Sequence, residues 1–184
     1  MPALTTAQRI RATVGVAVIF GTWFYLVFTR PTDWESVGGS SPALITLGGY
    51  VLGAILLLSA SLPILPARTI AIIPAALVLN IVIGQIVGSV GIPLYLDSVG
   101  TVLVAGLAGP IAGLATGTLS SIVWGLFNPA ALPFAAVSAM VGLLSGVMIA
   151  KGMLRNIPLT ITAGVVLGVI SGMLAAPVAA FVYG

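Results

Sequence analysis

"PLYLDSVGTVLVAGLAGPIAGLATG", residues 93–117, decides how this chain folds. It carries Asp97, the only acid after Glu35, and no further charge follows until Lys151. A membrane helix needs about 20 apolar residues to cross roughly 30 Å of hydrocarbon. The uncharged segment 98–127 is too long for one such helix and too short for two of ordinary length. Gly109-Pro110 breaks it in the middle, and proline suits the first turn of a new helix, where its missing N–H costs nothing. The reading is a hairpin of two short helices.

The rest of the chain supplies a membrane setting for such a hairpin. Of 184 residues, 60% are hydrophobic and 5% charged, and the mean hydropathy is +1.28. Six Lys/Arg and three Asp/Glu cannot give a soluble domain of this size its polar shell. The apolar stretch after "MPALTTAQRIRA" runs to Phe28 with bulky residues and no small-residue cleavage site, which predicts a retained helix rather than a signal peptide. The net charge of +3 is spread singly over helix ends and is no nucleic-acid footprint.

Absent residue types narrow the chemistry. Without Cys or His the chain has no thiolate, no disulfide, no imidazole ligand and no axial haem histidine. Three acids, two of them in one polar loop, do not build a carboxylate metal site or a usual intramembrane proton relay. The expectation is a protein that is not an enzyme and carries no cofactor or metal.

Candidate spans are 12–29, 43–63, 69–90, the compound segment 98–127, 132–150 and 157–182, separated by loops rich in Pro, Gly or charge. With a cytoplasmic N-terminus and a hairpin at 98–127, Arg9, Arg11, Arg68, Lys151 and Arg155 fall inside and only Arg30 outside. A single span at 98–127 would put Lys151 and Arg155 outside. The positive-inside rule therefore favours the hairpin. It gives an all-α polytopic membrane bundle of about seven helical segments, with 91–97 and 128–133 external and 151–156 cytoplasmic.

Small residues recur every four positions at Ala76-Asn80-Gly84-Gly88, Gly109-Gly113-Gly117, Gly142-Gly146 and Gly164-Gly168-Gly172. Each stripe lets another helix approach closely, within the bundle or from a partner. In "AIIPAA", Ala71 and Ala75 lie one turn apart and form a flat face that suits docking of another subunit. Asp97 reads as a helix N-cap, with Ser98 as the other candidate, or as a solute-binding carboxylate beside Tyr95. Asn80 and Gln85, the amides inside a span, either join helices or face a ligand. Trp124, Phe127 and Asn128 sit at one end of the second short helix, close to Phe134. They read as an interfacial aromatic belt or as the second lip of a mouth shared with Tyr95, Asp97 and Ser98. Such a mouth suits a planar, polar small molecule.

From Thr69 to Gly184 the chain resembles the substrate-binding S component of energy-coupling factor (ECF) transporters. The resemblance is carried by "AIIPAALVLNIVIGQ", by the quoted stretch with its Gly109-Pro110 turn, and by "LFNPAALPFAAVSAMVGLLSG". It implies a membrane subunit that captures a vitamin or other micronutrient at the outer face of a prokaryotic plasma membrane. Its partners would be a T component, met by Ala71 and Ala75, and two ATPase subunits that hydrolyse ATP. The division implied is 1–68, two helices outside the family core, and 69–184, an S-component-like domain with five segments where the family has six. A non-catalytic subunit of a larger membrane complex and a small independent channel or carrier remain as rival readings.

Overall fold

A computed structural model describes residues 4–31, 34, 39–89 and 97–183. Among them every regular element is a helix: α1 Thr6–Thr29, α2 Ser41–Ser61, α3 Ala67–Ser89, α4 Val99–Gly125, α5 Ala135–Ala150 and α6 Ile157–Val182. Short 3-10 turns at Leu62–Ile64 and Pro129–Phe134 extend the end of α2 and precede α5. Six helical stretches of the described residues are long and apolar enough to cross a membrane. The chain is an all-α, multi-pass membrane protein.

Helix starts follow the polar punctuation of the sequence. The Thr5 hydroxyl accepts from the Gln8 N–H at 3.3 Å while the Gln8 side chain accepts from the Thr5 N–H at 2.9 Å, a reciprocal capping box opening α1. Ser40 caps α2 and Asn156 caps α6, each with a proline in the first turn.

The fourth helix is two helices. Gly109 has φ 83° and ψ 176°, far from helical and open chiefly to glycine. A Cβ on Gly113 would lie 2.5 Å from the Cβ of Ala105. A straight helix would hold residues eight apart about 12 Å from one another, so the chain turns back on itself here. Residues 99–108 (α4a) and 110–125 (α4b) are the two arms, and counting them separately the described residues form seven long helical segments, close to the expectation.

Two clusters bury the apolar side chains. The larger joins Ile19 and Leu26 of α1, Tyr50 and Leu57 of α2, Leu114 and Ile122 of α4b, Ala135 and Ala139 of α5, and Phe181 of α6. The two N-terminal helices therefore share a core with residues beyond 68. The smaller cluster sets Ile73 and Ala76 of α3 against Val104, Ala108 and Ala112 of the hairpin, roofed by Leu62 and Leu65. This defines an elbow end of the bundle, holding Gly109-Pro110 and the α2–α3 connection. The opposite end is the mouth, where Trp34 Nε1 donates to the Pro129 carbonyl at 2.8 Å and the Tyr50 hydroxyl to that of Pro133 at 3.3 Å.

Glycine sets the closest approach in the bundle. Gly142 and Gly113 face each other so that a Cβ on either would strike the other's backbone, and Gly117 meets the Ser138 carbonyl in the same way. Gly146 takes Pro110 against its backbone. By contrast, Gly164, Gly168 and Gly172 of α6 have open space around them, as does Gly88.

Candidate functional site

The mouth is shaped by where α4a begins. Its first turn lies against the middle of α3, because Gly100 has no side chain to hold it off the Ala76 carbonyl. The first turn is met by one amide of α3: Asn80 Oδ1 accepts from the Gly100 N–H at 2.6 Å, and Asn80 Nδ2 donates to the Thr101 hydroxyl at 2.8 Å. Asn80 is fully buried, at 0% exposure. The expectation that Asp97 or Ser98 caps this helix is corrected. Ser98 is the cap position but makes no capping side-chain bond, and an amide from a neighbouring helix takes over that role.

One turn further along α3, Gly84 leaves room for two groups. A Cβ there would meet the Trp124 ring at 2.7 Å and the Asp97 Cβ at 2.9 Å. Asp97 and Trp124, at the two ends of the hairpin, are thus gathered around one glycine. Beside them opens a recess of about 640 Å³ lined by Ile81, Gln85, Trp124, Phe127, Asn128 and Pro129. Trp124 Nε1 reaches the Gln85 side-chain oxygen at a long 3.4 Å. Asn128 Oδ1 accepts from the Ala130 N–H at 3.2 Å, fixing the amide where α4b gives way to the 3-10 turn. Phe127 is 79% exposed at the rim.

Of the sequence candidates, Gln85, Trp124, Phe127 and Asn128 come together in the recess, and Asp97 with Ser98 adjoins it through Trp124 and Gly84. Asn80 lies apart from the lining, committed to holding α4a. Tyr95 lies outside the described residues. Sequence reading missed Ile81, which shares the face of Gln85 at a spacing of four, and Pro129, which follows Asn128 directly. Ala71 and Ala75 are exposed, on a face of α3 turned away from its buried stripe Thr69, Ile73, Ala76, Asn80 and Gly84.

Asp97 is the one ionisable group here among the described residues. Burial pushes its carboxyl above the usual carboxylate range, opposed by its own backbone N–H and by the Ser98 hydroxyl, which donates to Oδ1 at 3.4 Å. An indole, a phenyl ring, two amides and one carboxylate can stack on and hydrogen-bond a small planar solute. Among the described residues no group of three or more metal-ligating side chains is gathered. Comparison with protein families, with curated proteins and with solved structures finds no match.

Proposed function

We propose that this protein is the solute-binding membrane subunit of an ECF-type importer, capturing a vitamin-sized micronutrient at the outer face of a prokaryotic plasma membrane. The observation that carries this reading is the recess at the open end of the short-armed hairpin, with Trp124, Gln85 and Asn128 converging on it. Broken helices in membrane proteins are tolerated where they are packed among other helices or line a cavity, and their ends commonly frame solute sites. On this reading the chain performs no catalysis. ATP hydrolysis belongs to two partner ATPases, coupled through a T component that docks on the exposed Ala71/Ala75 face.

The N-terminus is then cytoplasmic and the mouth external. Single cysteines test this cleanly in a chain that has none. A cysteine at Ser98 should react with an impermeant reagent from outside, and one at Asn156 only after permeabilisation; the reverse pattern inverts the topology.

The functional test is native mass spectrometry of the purified protein for a retained small molecule, followed by titration with that molecule. Trp124→Ala and Asn128→Ala should each weaken binding about tenfold or more, since a lost buried hydrogen-bond partner costs about 1–3 kcal/mol. Unchanged affinity in both moves the site away from this mouth. A second reading, a non-catalytic subunit of a larger membrane complex, is favoured by the open glycine stripe of α6. Copurification of a stable partner with no retained solute would select it.

A further inference from the structure

Among the described residues Asp97 has no counter-ion. All six Lys and Arg of the chain lie among them, yet of these residues the carboxylate meets only its own backbone and the neighbouring Ser98 hydroxyl. The only charged residue of α3 is Arg68, at the elbow end, and α4 has none. Residues 90–96, between α3 and Asp97, contain no base. A half-buried carboxylate in that position is costly unless something pairs with it. The nearby N-terminus of α4a amounts to roughly half a positive charge at most and is already engaged by Asn80.

The environment around it is specific. Trp124 through the edge of its six-membered ring and Asp97 through its Cβ both pack on Gly84, so the indole that lines the recess and the side chain that carries the carboxylate start from one place beside it. An anionic solute would meet an unscreened carboxylate there, and a neutral one would leave it unpaired. A cation is attracted both by the carboxylate and by the electron-rich face of the indole.

We propose that the mouth selects a small organic cation, an ammonium or other protonated nitrogen group carried on a ring, with Asp97 as its counter-ion and Trp124 as its stacking face. This rests on the reading of the recess as a solute site and names the class of solute. The missing positive charge is supplied by the solute itself, and Gln85 and Asn128 are left to read its neutral polar groups.

The experiment uses the purified full chain in detergent and three matched probes: phenethylammonium, its neutral isostere phenylethanol, and the anion phenylacetate. Calorimetric titration should show the ammonium binding at least tenfold more tightly than either of the others. Asp97→Asn should erase that preference while the protein stays monodisperse. In the absence of probe the same variant should unfold about 2–4 °C later, because it removes an unpaired charge. Ammonium affinity should fall on acidification as Asp97 takes up its proton, and the fall should begin above the range of an ordinary carboxylate. Equal binding of the three probes, no ammonium binding at millimolar concentration, or a preference that survives Asp97→Asn overturns the assignment. The retained solute separates the two readings: a neutral or anionic solute lost in Trp124→Ala keeps the solute site and discards its cation selectivity.

Discussion

Asn80→Leu is expected to lower the midpoint of thermal unfolding by about 5–15 °C, reflecting a loss of about 2–4 kcal/mol. Leucine fills a similar volume but offers no acceptor to the Gly100 N–H and no donor to the Thr101 hydroxyl, both of which Asn80 satisfies. The hydroxyl can rotate toward another partner. The buried N–H has no such recourse, so most of the loss comes from the uncapped helix start. Thr101→Ala should therefore cost far less, about 1 kcal/mol. Thermal scans with size-exclusion detection compare the two directly. If Asn80→Leu unfolds no earlier than Thr101→Ala, the bond to Gly100 is not what holds α4a in place.

The second large effect concerns glycines that look alike in sequence and differ in surroundings. Gly117→Ala and Gly142→Ala each place a methyl group against backbone, of Ser138 and of Gly113 respectively. Neither neighbour can rotate away, so α4b and α5 must separate along their contact. We expect each substitution to cost about 3 kcal/mol, at the upper end of overpacking penalties. Gly164→Ala and Gly168→Ala add the same methyl group into open space. They should be neutral or slightly stabilising, because alanine is the better helix former by about 1 kcal/mol. Urea or thermal midpoints in one detergent decide the point, and equal losses at Gly117 and Gly168 would mean that the α6 stripe is packed as well.

The hairpin was legible in the chain because two unrelated signals coincide on it. Gly109-Pro110 interrupts an uncharged run, and Lys151 and Arg155 require an even number of crossings before them. The approach of Asp97 to Trp124 was legible for the same reason, since a hairpin returns its ends to one side; that Gln85 of α3 joins Trp124, Phe127 and Asn128 was left open, because that amide could equally have joined helices. That Asn80 joins helices was one of two readings the sequence left open, and its bonds to Gly100 and Thr101 decide between them; that it caps α4a was not legible. A helix cap is recognised by a polar residue next to the helix start, whereas this cap comes from residue 80 to residue 100, and only the depth at which α4a meets α3 brings them together. Nor does spacing distinguish Gly113 and Gly142, which touch, from Gly164 and Gly168, which face open space. Period four reports a small face on a helix and carries no information on what lies opposite it.

The Gly109-Pro110 elbow also sets the order in which the protein can be made. At 1.5 Å per residue, α4a spans about 15 Å, half the hydrocarbon thickness. Neither it nor the elbow can stand in lipid alone, because the turn exposes backbone groups that hydrocarbon does not hydrogen-bond. α3 leaves the ribosome first and offers Asn80 to the incoming arm. α5, whose Gly142 and Gly146 cover α4b and the elbow, emerges only later. Until it does, residues 99–125 have no complete shelter, so nascent chains from which α5 has not yet emerged should leave the hairpin at the insertion machinery, and chains halted late enough for residue 150 to have emerged should release it into the bundle.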